Sequence, residues 1–286
     1  MVFRTRATAV ASAAVAASSL WLLTGASSGA PTAADFAALK LQTERAQAAT
    51  EVANLMGRYT FLQLSDLQNE TAQLYALKTE GVSVELPTGG AMVGGEHVKA
   101  FYAQSQSMPK PDGQFRLHPV QDPIIVVAGD GKTAKGVFLS LGAGANSIDD
   151  DGVWSWVKYG VDFIKEDGVW KIWHLHGYPL LSTSYYKSWT KSARERAAGG
   201  GRPGGPPGGA GGAPGAPGAG GPGGAGGPGG AGGPGGAPPG GGGPGGMMQP
   251  DRPARETPWE YNGKGLPPLQ PALPEPYQTF DPAKAY

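Results

Sequence analysis

Cysteine is absent from this chain of 286 residues. The absence excludes disulfide bonds, a thiolate nucleophile and any zinc site with cysteine ligands. The chain also has no excess of positive or negative charge, since 23 basic and 23 acidic residues give a formal net charge of zero. Proteins that bind nucleic acids normally carry a basic surface, so we expect no nucleic-acid partner.

The motifs of several common enzyme classes are missing as well. The chain has no GxSxG nucleophile elbow, no P-loop, no dinucleotide fingerprint and no HExxH zinc motif. The glycines of "GGAMVGGEH" (89–97) lack both the dinucleotide spacing and a following βαβ unit. We therefore interpret this stretch as a turn.

Residues 1–30 have the composition of a signal peptide. Basic residues in "MVFRTR" precede the apolar run "ATAVASAAVAASSLWLLTG", and small residues follow it. We predict that the segment is cleaved and that the mature protein is periplasmic or secreted, without a stable membrane anchor. An uncleaved anchor is the alternative, although the Ala-rich run barely reaches spanning length.

Most of the 49 glycines and 27 prolines are concentrated in residues 199–246. Glycine loses the most entropy on ordering and brings no side chain to a core, so we predict a disordered linker. A collagen-like helix is the alternative, but the Gly-X-Y period breaks at "APPGGGGPGG". The linker separates a foldable domain at 33–190 from a Pro-rich tail at 247–286.

The tail contains sizeable apolar side chains among its prolines: Trp259, Tyr261, Leu266, Leu269, Leu273, Tyr277 and Phe280. Each is worth about 1.5–3 kcal/mol when fully buried. We therefore expect residues 258–281 to lie against the folded domain or a second copy of it, with the mouth of its cavity as one location. A disordered tail that binds another partner is the alternative.

The remaining pattern predicts an α+β fold. Helical periodicity covers 33–64, 67–78 and 95–106, and alternating strands follow. Two hairpins are indicated, one at Asp130-Gly131 and one at Glu166-Asp167-Gly168. We predict a curved antiparallel sheet that forms a cone, with the three N-terminal helices on its concave side.

The stretches "DGKTAKGVF" (130–138) and "DFIKEDGVWKIW" (162–173) complete a pattern over residues 45–190. It resembles the SnoaL-like family of the nuclear-transport-factor-2-like superfamily, which includes scytalone dehydratase, bile-acid dehydratases and ketosteroid isomerase. The resemblance implies a cone that encloses a small hydrophobic substrate and needs no metal or organic cofactor. It favours an exported lyase or isomerase with dehydratase-like acid/base chemistry on an aromatic or polycyclic substrate.

A non-catalytic module that binds a small hydrophobic ligand is the alternative function. The Tyr-Asp pair that the dehydratases carry on their first helix corresponds to Leu62-Gln63 or Gln63-Leu64 here. This departure favours the binding module. A histidine and a tyrosine within reach of one another inside the cavity would favour the enzyme.

The second hairpin predicts which residues share a sheet face. A three-residue loop with Gly168 left-handed would pair Lys165 with Val169 and place Tyr159 opposite Leu175. One face would then carry Val157, Tyr159, Val161, Phe163, Trp173 and Leu175. The other would carry Asp162, Ile164, Trp170, Ile172, His174 and His176. Residue types alone leave open which face lines the cavity; the resemblance implies the Tyr159 face and leaves the other for a homo-oligomer contact.

Two residues are candidate catalytic groups. His118 matches the histidine that the dehydratases place at the start of the first long strand, and its pKa range suits acid/base catalysis. Tyr159 can stabilise a developing oxyanion through its hydroxyl. The alternatives are a strand-end histidine bonded to the backbone and a tyrosine that only packs. The predicted substrate pocket comprises Tyr59, Val157, Val161, Phe163, Trp173, Leu175 and His176, the last at its mouth.

His174 and His176 project from one strand face, with Asp162 on the neighbouring strand. Two histidines and a carboxylate form a known set of ligands for non-haem iron. The spacing is common by chance, and the aromatic neighbours favour a covered interface. We therefore predict no metal site.

Overall fold

The computed structural model describes residues 30–86, 90–197, 248–255 and 260–286. The predicted signal peptide up to residue 29 and the predicted linker at 199–246 lie outside the described residues. The described residues divide into two units, one that comprises 30–43 and one that comprises the described residues from 44 onward. In the part of the chain that is described, no helix has the length and apolar character needed to cross a membrane.

Helix α1 spans Ala33–Leu64, the bounds that periodicity predicts. At its start, the Thr32 hydroxyl accepts the Asp35 N–H (3.2 Å) and the Asp35 carboxylate accepts the Thr32 N–H (2.8 Å), which forms a capping box. Beyond its end, Asp66 adopts a left-handed conformation with φ of 53°. The buried residues of the helix are Ala48, Val52, Leu55, Met56 and Tyr59.

Helix α2 is shorter than predicted. It covers Gln68–Ala72 rather than 67–78, because the chain leaves the helix to pair with the sheet. Tyr75 forms a parallel bridge with Ile172, and the Ala76 N–H donates to the Ile172 carbonyl (2.8 Å). Two further helices follow, α3 at Gly95–Ser107 and α4 at Trp189–Ala197.

Seven strands form one mixed, curved sheet: β1 (Ser83–Leu86), β2 (Gly90–Val93), β3 (Phe115–Leu117), β4 (Gln121–Val127), β5 (Thr133–Ala145), β6 (Val153–Glu166) and β7 (Val169–Ser184). The order is β2-β1-β7-β6-β5-β3, and β4 also pairs with β5. The predicted wholly antiparallel sheet is wrong, because β1 runs parallel to β7. The Tyr75–Ile172 bridge, which precedes β1 in the chain, is also parallel to β7. The interpretation of 89–97 as a turn is also wrong, since it contains β2.

The hairpin at Asp130-Gly131 joins β4 to β5 as predicted. The second hairpin differs from the prediction by one residue, because Glu166 pairs directly with Val169. Its loop therefore has two residues, Asp167 and Gly168, with φ of 52° and 79°. Two consecutive positive φ angles suit the right-handed twist of the strands, and Asp tolerates this conformation better than most residues.

A β-bulge at Trp173 changes the predicted sheet faces. Asp162 pairs with His174 but Phe163 pairs with Ile172, which leaves Trp173 as the extra residue. The shorter turn moves Trp170 and Ile172 to the face opposite Asp162. The extra residue at the bulge then returns His174 and His176 to the Asp162 face. The predicted face is therefore wrong for Trp170, Ile172 and Trp173.

The hydrophobic core lies between helices α1 and α3 and one face of the sheet, here called the core face. Its strand residues include Val84, Val127, Phe138, Val157, Tyr159, Val161, Phe163, Trp170, Ile172 and Leu175. The opposite face, which carries Asp162, is called the outer face.

The prediction that the tail docks on the domain is confirmed for its described residues. Near its start, Arg252 forms a bridge with Ala91 of β2. Further along, the Tyr261 N–H donates to the Leu180 carbonyl (2.9 Å), and the Tyr277 carbonyl accepts the Gly129 N–H (2.8 Å). The tail thus binds at the sheet edge, along β7 and at the first hairpin.

The last turn of the tail covers the outer face. The Tyr286 N–H donates to the fully buried Asp162 carboxylate (2.8 Å). A Cβ added to Gly160 would lie 2.7 Å from the Tyr286 ring, so a glycine is required under this contact.

Tail leucines do not contribute as the composition suggested. Leu266 and Leu269 are 90% and 76% exposed, whereas Tyr261, Tyr277 and Phe280 are partly buried. Trp259 lies outside the described residues. Docking therefore uses aromatic rings and polar contacts rather than these leucines.

Candidate functional site

Four tyrosines from four elements converge in the core. Tyr59 comes from α1, Tyr75 from the segment after α2, Tyr102 from α3 and Tyr159 from β6, and each is at most 6% exposed. The hydroxyls of Tyr75 and Tyr102 are 2.8 Å apart, with ring centroids at 5.5 Å. We call these four residues the tyrosine cluster. It places phenolic hydroxyls inside an otherwise apolar core.

Burial keeps these phenols neutral. It raises the pKa of Tyr159 to about 12, and it raises the pKa of Tyr59, Tyr75 and Tyr102 well above the ordinary value. The neighbouring tyrosines add to the effect on the last three, since a second phenolate nearby would repel the first. At neutral pH the cluster can therefore donate hydrogen bonds but cannot act as a base.

His118 lies on the same face as Tyr159, at the margin of the core. It follows Leu117, which pairs with Ala143, so it comes opposite Gly142. A Cβ added to Gly142 would lie 2.3 Å from the His118 Nδ1, which shows how closely the imidazole packs on β5. The sequence predicted His118 at the start of the first long strand. In the structure it lies between β3, which ends at Leu117, and β4, which begins at Gln121.

Ser140 lies between His118 and Tyr159. Phe138 pairs with Tyr159, and Gly142 faces His118, so the two candidate groups are four positions apart, about 13 Å along β5. Ser140 is midway and fully buried. Its hydroxyl finds no hydrogen-bond partner among the described residues. A buried unsatisfied hydroxyl is uncommon and marks a place where a ligand can supply the partner.

Most of the predicted pocket residues are brought together in the core cluster: Tyr59, Val157, Val161, Phe163 and Leu175. Trp173 only touches the cluster from its bulge. Its indole N–H donates to the Glu80 carbonyl (2.9 Å), and its ring stacks on His174 and contacts Phe280 of the tail.

His176 lies away from the tyrosine cluster, on the outer face. It was expected at the end of a strand and at the mouth of the pocket, but β7 continues to Ser184. Its Nε2 is 3.3 Å from the buried Glu85 carboxylate, and its ring stacks on Tyr178. Arg252 and Arg255 of the tail also contact Glu85, at 2.8 and 3.1 Å.

Asp162 is the centre of a second polar group on the outer face. Its carboxylate accepts hydrogen bonds from Lys135 Nζ (2.6 Å) and the Tyr286 N–H, and it lies 3.0 Å from His174 Nδ1. Lys135 also donates to the Lys284 carbonyl (2.7 Å). In the described ranges no three His, Asp or Glu side chains are placed to hold a metal ion. The carboxylate instead ties the tail to the sheet.

The contacts of Glu85 with His176, Arg252 and Arg255 make the stability of the protein depend on pH. Burial lowers the pKa of His176 to about 4; Glu85 opposes the shift, and the Arg255 and Arg252 charges add to it. An unfolded histidine titrates near pH 6.5, so the unfolded chain binds more protons between about pH 6.5 and 4. Stability should therefore decrease as the pH falls through this window, by on the order of 1–3 kcal/mol.

Urea unfolding at pH 7 and pH 4.5 measures this decrease. His176→Gln should lose less stability on acidification than the unmodified protein, because the group that takes up the proton is gone. Parallel pH profiles for His176→Gln and the unmodified protein would refute the assignment.

The sequence reasoning missed Tyr75, Tyr102 and Ser140 as site residues. Tyr102 had a detectable signal, since Val98, Phe101 and Tyr102 are spaced i, i+3 and i+4 on the inner side of α3. Ser140 had none, because a serine in a strand gives no indication that its hydroxyl lacks a partner.

A profile described as a SnoaL-like domain matches residues 44–176. No curated protein matches this sequence. A solved structure of a putative scytalone dehydratase from Novosphingobium aromaticivorans is 14% identical, with 52% of this chain and 94% of that one covered and a TM-score of 0.44. A hexachlorocyclohexane dehydrochlorinase, LinA-type3 from Novosphingobium barchaimii, is also 14% identical, with coverages of 51% and 96% and a TM-score of 0.43.

The profile match covers helix α1 from residue 44 onward, the tyrosine cluster and the sheet up to the Glu85–His176 contact. The α+β fold with its mixed curved sheet agrees with that match. Residues 44–176 therefore match the SnoaL-like domain family.

Proposed function

We propose that the core face carries the active site of a small-molecule lyase or isomerase. The reaction would use dehydratase-like acid/base chemistry without a cofactor, on a hydrophobic substrate of aromatic or polycyclic type. The observation that supports this most directly is the tyrosine cluster, which places neutral phenol donors beside apolar walls. Such donors stabilise an enolate-like or phenolic oxyanion in a site without water.

The roles follow from the ionisation properties of each group. Tyr159 and its cluster partners hold the substrate oxygen and stabilise negative charge as it develops. His118 transfers the proton, because it alone of the four histidines lies on the core face. The buried carboxylates of the described residues, Glu85 and Asp162, both face the other way and contact the tail. The Ser140 hydroxyl lies between the two ends and can bond a second polar group of the substrate.

A screen of aromatic alcohols and enones is the first test, followed by His118→Ala on any substrate found. Loss of a general acid/base should lower kcat about 100-fold or more. His97→Ala is the matched control, since this exposed histidine lies outside the core and should leave turnover unchanged. Unchanged turnover in His118→Ala would refute the assigned proton-transfer role.

The alternative function is a non-catalytic module that binds a small hydrophobic ligand in the same place. It is favoured by the roughly 13 Å that separates the positions of His118 and Tyr159 along β5, which requires a substrate long enough to reach both. A ligand that binds tightly, is released unchanged and is insensitive to His118→Ala would support the module.

Two further features belong to the same proposal. We propose export, on the composition of residues 1–30, and self-association through the sheet. The chain's own tail occupies the part of the outer face around Asp162, so a second copy would have to use the sheet surface that the tail leaves uncovered. Sedimentation of the mature protein would measure that association.

A further inference from the structure

A cleft of about 330 Å³ lies outside the core, between the sheet, α4 and the tail. It is lined by Trp156, Leu180, Leu181, Trp189, Tyr261 and Pro267. Its volume falls at the lower end of the range for small-molecule sites, and its walls are almost entirely apolar and aromatic. The cleft is formed on the outer side of the sheet, so it is separate from the tyrosine cluster.

The cleft has a specific structural origin. Trp156 pairs with Leu181 and Val157 with Pro179, which leaves Leu180 as the extra residue of a second β-bulge. The bulge turns both leucines toward the cleft and frees the Leu180 carbonyl, which accepts the Tyr261 N–H of the tail. The tail therefore completes the cleft, with Tyr261 and Pro267 as one wall.

The aromatic rings are arranged to accept another ring. Trp156 and Trp189 meet edge to face with centroids 5.8 Å apart, and Trp189 is 51% exposed. A planar ligand that covers Trp189 would remove a large apolar surface from water and gain a stacking contact.

Two polar groups define the rest of the ligand. The Trp156 indole N–H is buried and has no acceptor among the described residues, so it can donate to a ligand oxygen. Lys158 projects from the same side of β6, about 7 Å further along, and its Nζ reaches the Pro268 carbonyl (3.3 Å) beside Pro267. In the described ranges, Lys158 forms no ion pair with a carboxylate. We propose that this cleft binds a small planar aromatic carboxylate.

In the complex, the ring lies between Trp156, Trp189 and Tyr261. The carboxylate pairs with the Lys158 ammonium, and one of its oxygens accepts the Trp156 N–H. The site is independent of turnover on the core face, because none of its residues belongs to the tyrosine cluster. It depends on the docked tail, since Tyr261 and Pro267 come from it.

The test is a titration of the full-length protein with 2-naphthoate, followed by the indole N–H resonances of its seven tryptophans in ¹⁵N-labelled protein. Trp156→Phe identifies the Trp156 resonance, which should shift on binding. Trp189→Ala should weaken binding about tenfold, and Trp154→Phe, an exposed tryptophan outside the cleft, should not. Lys158→Met should weaken 2-naphthoate and leave the neutral 2-naphthalenemethanol unaffected.

Three results would overturn the proposal. One is an unmoved Trp156 resonance at saturating 2-naphthoate, and another is unchanged affinity in Trp189→Ala. The third is a loss of 2-naphthoate binding in Tyr159→Phe while Trp189→Ala binds normally, which would place the ligand in the tyrosine cluster. These measurements report binding to the cleft and require no turnover, so they test this proposal even if the proposed enzyme function is wrong.

Discussion

Removal of the tail should lower the melting temperature by about 6–12 °C. A chain that ends at residue 247 loses the partly buried rings of Tyr261, Tyr277 and Phe280 and the hydrogen bonds to Ala91, Leu180 and Gly129. Half-burial of three aromatic side chains is worth about 3 kcal/mol or more, and each kcal/mol corresponds to about 2–4 °C in a domain of this size. Thermal unfolding of the truncated and full-length proteins measures the difference.

The matched control is a chain in which half of residues 199–246 is deleted and the tail is kept. The entropy of closing a flexible loop changes by only about 0.6 kcal/mol when its length is halved, so the melting temperature should change little. Limited proteolysis within 199–246 should leave the tail bound to the domain. Equal melting temperatures for the full-length and truncated chains would refute the stabilising role of the tail.

Asp162→Asn should destabilise the protein by about 3–5 kcal/mol. The side chain is fully buried and accepts hydrogen bonds from Lys135 Nζ and the Tyr286 N–H, so its neutral replacement leaves a nearly buried ammonium without a counter-charge. Asp167→Asn is the matched control, because its ion pair with Lys78 is exposed on both sides and should contribute little to stability. Urea unfolding of both variants provides the comparison.

A double-mutant cycle separates the ion pair from other effects of the substitution. Lys135→Met alone removes the cation and leaves the Asp162 carboxylate buried. Because Asp162→Asn combined with Lys135→Met removes both charges, its cost should be smaller than the sum of the single costs by at least about 1 kcal/mol. Additive costs would contradict the ion pair as the link between sheet and tail.

The elements with strong local signals could be predicted from the sequence. The apolar face of α1 indicated the helix, and the Asp-Gly pairs indicated both hairpins. These features depend on residues close together in the chain, where periodicity and turn chemistry are decisive.

The sheet faces could only be predicted in part, because two small offsets lie within a single hairpin. The loop after Glu166 is one residue shorter than expected, and the bulge at Trp173 inserts one residue. The two offsets compensate beyond the bulge, so His174 and His176 were assigned to the correct face while Trp170 and Ile172 were not. No residue type in "VWKIWHLH" signals a bulge, and the residues that Trp173 contacts there, Glu80 and Phe280, are distant in the chain.

The candidate site depends on contacts between distant parts of the chain, so the sequence indicated only some of its members. Tyr59 and Tyr159 could be found from strand and helix faces, but the Tyr75–Tyr102 bond joins a turn to a helix 27 residues away. The position of the tail on the outer face depended on Glu85 and Asp162, whose burial has no signal in the sequence.

The measurement that tests the central claim most directly is the effect of Ser140→Ala on stability and turnover. Its hydroxyl is buried without a partner in the described chain, so removal should leave the melting temperature unchanged or slightly raised. If the core face is the active site, kcat/KM for the substrate found in the screen should fall about tenfold, which corresponds to one lost hydrogen bond. An unchanged kcat/KM together with an unchanged melting temperature would contradict a substrate bound between His118 and Tyr159.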